Sequence, residues 1–122
     1  EGQIVGGAAQ GIGGALLEEF VYDESMQPLA TSFMDYLLPT ITELPHIELL
    51  LREDAPSGTN PLGIKGAGEG GITAVGAAVA AAVDDALGRT ECVNRLPISA
   101  ARMHEILKAK SNRPTDVKAV NL

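Results

Sequence analysis

Glu69 stands inside a run of glycines, Gly66-Ala67-Gly68-Glu69-Gly70-Gly71, immediately ahead of a long apolar stretch. Glycines let a bulky, rigid partner come close to the backbone, and free N–H groups at a helix start can hold an anion. A helix dipole favours the ionised carboxylate, while burial pushes its pKa upward. A carboxylate that is ionised yet desolvated suits proton abstraction near neutral pH. The plainer alternative is that Glu69 caps the following helix in solvent, and local pattern leaves both open. Gly66-x-Gly68-x-x-Gly71 also satisfies a dinucleotide fingerprint. That fingerprint needs a strand running directly into its first glycine, and here Pro56 and Pro61 intervene after Leu51.

Other chemistry-bearing residues are thinner candidates. His46 and His104 lie far apart, and neither has a second ligand at metal spacing. His46 and Glu48 would share one face of a strand, which reads as a solvated face. Asp84-Asp85 sits near the expected end of a helix, where the dipole disfavours acids. Salt bridging to Arg89 is the ordinary explanation. Ser57, Ser99 and Cys92 have no His or acid partner at a recognisable spacing, so hydrolase chemistry has no support.

The elements that must position Glu69 follow from periodicity and breakers. Gly2, Gly6, Gly7, Gly11, Gly13 and Gly14 crowd the first residues, yet Ile4, Ala8, Ile12 and Leu16 recur there at helical spacing. Residues 3–19 are therefore expected to form a closely packed, glycine-rich helix. Residues 18–22 read as extended, with a turn at Asp23-Glu24-Ser25 and a return over 27–31, a hairpin. Residues 33–38 read as a helical turn stopped by Pro39. The run Ile47-Glu48-Leu49-Leu50-Leu51 reads as a strand, and 56–65 as a loop with Asn60-Pro61 as its turn signal. Residues 71–87 form the clearest helix, with Ile72, Val75, Val79, Ala82, Val83 and Ala86 on one stripe and Gly88 as the stop. Ser99 is the expected N-cap of a last helix carrying Met103, Ile106 and Leu107. From Lys108 onward the chain is polar and expected to fray. Strand and helix do not alternate regularly, so the class is α+β.

Composition bounds what such a chain can do. Its 122 residues suit one domain or part of one; 45% are hydrophobic and 20% charged. A net charge of −7 argues against nucleic acid, which needs clustered cations. Phe20, Tyr22, Phe33 and Tyr36 are the whole aromatic complement, too few for base stacking. The single Cys92 excludes an internal disulfide and fits a reducing compartment. The apolar stretch from Ile72 to Val83 is broken by Asp84 and too short for a membrane span. No signal peptide is visible at Glu1-Gly2-Gln3-Ile4.

Two stretches together resemble one family. Gln3-Ile4-Val5-Gly6-Gly7-Ala8-Ala9-Gln10-Gly11-Ile12-Gly13 is similar to the glycine-rich helix of the molybdenum hydroxylases, and Lys65-Gly66-Ala67-Gly68-Glu69 to their catalytic loop. These are xanthine dehydrogenase, aldehyde oxidase and the carbon monoxide dehydrogenase large subunit. Asp35-Tyr36-x-x-Pro39-Thr40, Pro61-Leu62-Gly63, Asp84-Asp85-Ala86-Leu87-Gly88 and Leu96-Pro97 match in the same order. Val5 and Gly70-Gly71 depart from the xanthine dehydrogenase pattern and favour a bacterial, multi-subunit relative.

The resemblance implies the C-terminal part of the molybdopterin-binding domain over residues 1–110, with glycine-rich helices on a small mixed sheet, and a polar, frayed tail over 111–122. It implies an oxidoreductase acting on an aldehyde, an N-heterocycle or carbon monoxide, with water as oxygen donor. Glu69 matches the family's base, Gln3 a glutamine that hydrogen-bonds the pterin, and Gly68 a backbone position against the cofactor; no side chain here is implied as a metal ligand. Lys65 and Gln10 lie near that site without an assigned role. The implied cofactor is molybdenum–molybdopterin in its cytosine dinucleotide form, with iron–sulfur clusters and FAD on partner subunits. The implied partners are the remainder of the large subunit, an iron–sulfur subunit, an FAD subunit and a small-molecule substrate. The implied assembly is a cytoplasmic dimer of heterotrimers. Both glycine clusters are then expected to be places where the chain approaches a flat ligand. The alternative is a noncatalytic binding or assembly module that keeps the fold without cofactor.

Overall fold

The computed structural model describes residues 1–109, and the expected frayed tail at 111–122 lies outside them. Three helices are formed: α1 over Gly2–Leu16, α2 over Val75–Ala86 and α3 over Ala100–Lys108. Each falls where helical periodicity predicts one, but the faces they bury differ from expectation. On α1 the fully buried residues are Gly7, Gly11, Gly13 and Ala15, while Ile4, Ala8, Ile12 and Leu16 are only half-buried. Glycine carries no hydrophobic signal, so an apolar stripe points beside the true contact face.

α1 and α2 pack on each other, and the glycines explain how closely. A methyl group on Gly7 would lie 3.2 Å from the Cα of Gly71, and one on Gly11 would strike the side chain of Val75. A methyl on Gly71 would collide with the carbonyl oxygen of Ile4. Helix against turn is thus backbone against backbone. The half-buried residues of α2 are Val75, Gly76, Val79, Ala80, Val83 and Asp84, with Ile72 and Leu87 flanking it. Ala82 and Ala86, expected on that stripe, are exposed.

Local signals set the helix ends. Gly88 takes φ +59, its N–H bonds Asp85 O, and the Arg89 N–H bonds Asp84 O. This double closure is the Schellman motif, which favours glycine at its left-handed position. Ser99 caps α3 by accepting from the Arg102 N–H. The Arg89 guanidinium closes the other end of α3 on Ile106 O at 2.9 Å and Ala109 O at 3.4 Å. Ala15, Ile98 and Ile106 form the buried apolar core, and the Ile98 N–H bonds Ala15 O at 2.7 Å.

The expected sheet is not formed among the described residues. The hairpin survives as one antiparallel bridge between Tyr22 and Pro28, closed by Asp23 N–H to Gln27 O and Leu29 N–H to Val21 O. Asp23 accepts from Ser25 and the Gln27 N–H; the Gln27 backbone bond and then the Ser25 hydroxyl hold its carboxyl below the usual range. Residues 47–51 form no strand. Their side-chain pattern is that of a strand, but a strand exists only against a partner, and no described residue offers one. Of the α+β expectation the described residues form the helical part: three helices joined by long irregular segments.

The helical turn expected over 33–38 forms over 32–36 and ends before Pro39, closed by the Tyr36 N–H on Ser32 O at 2.8 Å. The Tyr36 phenol donates to Glu18 at 2.8 Å, and that bond raises the phenol's pKa. Gly13 is the seat of this contact, since a methyl there would meet both Glu18 and Pro39. Phe20 stacks against Tyr22 and Tyr36, with centroids 5.5 and 5.9 Å away.

Candidate functional site

The loop leading to Glu69 is built by its own side chains. Asn60 begins a turn in which the Gly63 N–H bonds Asn60 O. Pro61 at the second position and Gly63 at the fourth suit that turn. The Asn60 amide grips Ile64 from both sides, donating to its carbonyl at 2.9 Å and accepting from its N–H at 3.1 Å. The Ser57 N–H bonds Gly63 O and shuts the loop. Lys65 to Gly70 then run exposed into a series of turns.

Glu69 opens those turns through its backbone. Its carbonyl accepts from the Ile72 and Thr73 N–H groups, both at 3.2 Å, and from the Thr73 hydroxyl at 2.8 Å. Its carboxylate is exposed and makes no bond to any described residue. α2 begins only at Val75, with Ala74 as N-cap and no side-chain cap. Glu69 is therefore not the cap of α2. A carboxylate left over by the fold is available to something outside it.

Gly71 lies against Ile4, and Gly7 against Gly71 and Ile72. This contact joins the two motifs on which the resemblance rests. Gln3, next to Ile4, and Glu69, two residues before Gly71, are carried to the two sides of it. Gln3 is exposed and its amide is free of described partners. Gly68 is exposed, and nothing lies within 4 Å of the space where its side chain would be.

The glycines divide into two groups. Gly7, Gly11, Gly13, Gly71 and Gly76 are consumed by contacts within the chain, whereas Gly2, Gly6, Gly66 and Gly68 face open space. The expectation that both clusters serve a ligand is thus corrected. Gly7, Gly11 and Gly71 serve the packing of α1 on the turns and helix that follow Glu69, because a backbone-to-backbone contact needs glycine as much as a ligand does.

A family model described as the molybdopterin cofactor-binding domain matches residues 1–45. A protein of similar sequence is the 6-hydroxypseudooxynicotine dehydrogenase complex subunit gamma of Paenarthrobacter nicotinovorans. It is 56% identical over 98 residues, covering 80% of this chain and 12% of that protein. A probable xanthine dehydrogenase subunit of Bacillus subtilis is 37% identical over 110 residues, covering 89% of this chain and 14% of that protein. Among solved structures, quinoline 2-oxidoreductase from Pseudomonas putida 86 superposes with a TM-score of 0.80 at 42% identity, over 93% of this chain and 14% of that one. The chain belongs to the molybdenum hydroxylase family. It spans about an eighth of the length of these molybdenum hydroxylase relatives.

The residues present fit a molybdopterin group. The free Gln3 amide offers a donor and an acceptor, and the open backbone at Gly66 and Gly68 admits a flat ligand without steric cost. No described cluster of three His, Cys, Asp or Glu side chains could hold a metal. His46 and His104 are both exposed, and no described helix is long and apolar enough to cross a membrane.

The expectation for Asp84 changes. Asp84 does not pair with Arg89. One Asp84 oxygen accepts the Cys92 and Val93 N–H groups, each at 3.1 Å, and the Cys92 thiol. The thiol bond first, with backbone bonds from Val93, Glu91 and Cys92 against burial, holds the Asp84 carboxyl below its ordinary value. The same bond, burial and charge push the Cys92 thiol up. A lone Asp at a helix end carries no local mark of a distant loop that needs an acceptor.

Proposed function

We propose that this chain is the C-terminal portion of the molybdopterin-binding subunit of a molybdenum hydroxylase, with Glu69 as its general base. The observation that carries this reading is the contact between Ile4–Gly7 and Gly71–Ile72. It sets a free amide and an uncommitted carboxylate at the two sides of one seam. Residues 1–110 form the cofactor-binding portion and 111–122 a tail. When bound, the molybdenum–molybdopterin group, in its cytosine dinucleotide form, supplies the two-electron oxidation. Gln3 holds the pterin edge through its amide, and the backbone at Gly68 lies against the cofactor. A Glu69 carboxylate oxygen takes a proton from the oxygen nucleophile that originates in water, as that oxygen attacks an electron-poor carbon. Between an aldehyde, carbon monoxide and an N-heterocycle, the last is favoured. The quinoline enzyme and the hydroxypseudooxynicotine dehydrogenase complex are each named for a compound with a nitrogen ring. The name subunit gamma supports a complex of several subunits; in this reading the others are an iron–sulfur and an FAD subunit, in a cytoplasmic dimer of heterotrimers.

The test is Glu69→Gln in the full-length, cofactor-loaded enzyme, reading molybdenum content and the reductive half-reaction together. The variant keeps its molybdenum and loses on the order of 10²–10⁴-fold in rate, the worth of a positioned proton acceptor. A loaded variant within about threefold of wild type removes Glu69 from catalysis. A wild-type complex that contains no molybdenum would instead mark the chain as part of a noncatalytic assembly module.

A further inference from the structure

We infer that Thr73 is a positioning residue whose hydroxyl, by holding the Glu69 carbonyl, aims the Glu69 carboxylate; this rests on the reading of Glu69 as the base. The Glu69 side chain is bonded to no described residue, so its direction comes from its backbone alone. That backbone is flanked by Gly68 and Gly70, the residue type that restrains φ and ψ least. A methyl on Gly68 would meet nothing within 4 Å, and one on Gly70 only the Ala67 carbonyl at 3.7 Å. Packing therefore leaves the carboxylate several directions, and hydrogen bonds on the Glu69 carbonyl must choose one.

Three donors reach that carbonyl. The Ile72 and Thr73 N–H groups lie at 3.2 Å, the long end of the range for such bonds. The Thr73 hydroxyl lies at 2.8 Å, the usual length for its type, and its branched Cβ restricts the rotation that would break the bond. The hydroxyl is not spent on α2, whose N-cap is Ala74. From Thr73 the chain runs back through Ile72 to Gly71, whose missing side chain seats the turn on Ile4 of α1. The carboxylate is thereby tied to the helix that carries Gln3. The upstream anchor does not reach as far. Asn60 grips Ile64, but Lys65 to Gly68 follow without a hydrogen bond to any described residue, with Gly66 and Gly68 among them.

Thr73→Val keeps the shape and removes the hydroxyl, whereas Thr73→Ser keeps the hydroxyl. Both are made in the full-length, cofactor-loaded enzyme, each with Glu69 and with Glu69→Gln, and reductive rates are read per molybdenum bound. Thr73→Val should slow the reaction about tenfold with substrate affinity unchanged, since a small misplacement of a reacting group is costly. Thr73→Ser should return to within about twofold of wild type. Beside Glu69→Gln, Thr73→Val should change nothing further, because residues that act as a unit are not additive. Apart from turnover, the Ile72 amide should exchange about tenfold faster in Thr73→Val and at the wild-type rate in Thr73→Ser. Four results each overturn the proposal: full rate in Thr73→Val, Thr73→Ser as slow as Thr73→Val, an unchanged Ile72 amide, or equal slowing with and without Glu69. Full rate in Thr73→Val beside a slow Glu69→Gln sinks the positioning alone. Glu69→Gln within about threefold of wild type sinks the catalytic reading, and the Ile72 amide then still decides whether the hydroxyl holds the carbonyl.

Discussion

Two carboxylates of this chain have opposite fates. Glu69 contributes only its carbonyl to the fold and leaves its side chain unspent. Asp84 gathers a thiol and two amides on one oxygen and so ties the end of α2 to the loop at 92–93. The pH consequences of that tie are two-sided. Asp84 is held below its ordinary 3.8, so its contribution is present above that value and fades as pH falls through the lowered one. Cys92 is held above its ordinary 9.0, so its contribution is present below that value and fades as pH rises through the raised one. This corner is most stable between the two. Peptide-resolved iodoacetamide labelling of the folded protein should give Cys92 a midpoint above pH 9.0. Asp84→Asn removes the neighbouring charge and should bring that midpoint down; an unchanged profile would mean that Asp84 does not govern the thiol.

At the scale of elements, the α1–α2 seam depends on absent side chains. Gly71→Ala sets a methyl against the Ile4 carbonyl, a backbone atom that cannot swing aside. Overpacking of this kind costs about 1–3 kcal/mol, and the seam that carries Gln3 and Glu69 opens with it. Gly14→Ala is the counterpart, since Gly14 is exposed on α1 with nothing within 4 Å. Removing a helical glycine there stabilises by up to about 1 kcal/mol. Denaturant midpoints of the full-length subunit should therefore move in opposite directions. Two shifts of the same sign would show that the seam tolerates a methyl group.

The molecule as a whole buries few apolar side chains among its described residues. Its buried apolar side chains are Ala15, Ile98 and Ile106, while Phe33 and Met34 stand 78% and 88% exposed. So small a core cannot balance the conformational entropy of the chain. Calorimetry of the 122-residue chain by itself should show a broad, weak transition with binding of a hydrophobic dye, and metal analysis should find no molybdenum. A sharp cooperative melt would show that the chain is stable without a partner.

The sequence alone determined what local chemistry decides. Ser99 before α3, Gly88 after α2 and Asn60-Pro61 in the loop act on atoms a few residues away, and all three do what their residue types predict. The family too was legible, because its two motifs are short and ordered. The tertiary structure decided the rest. Which glycines pack and which stay open depends on where the Glu69–Ala74 turns cross α1, and a residue without a side chain leaves no hydrophobic period to read. Asp84 found Cys92 rather than Arg89, and Arg89 found the end of α3, because a hydrogen bond across the chain is set by the path between the groups. Residues 47–51 have the pattern of a strand and form none. Side-chain alternation is local, but a strand's hydrogen bonds belong to its neighbour.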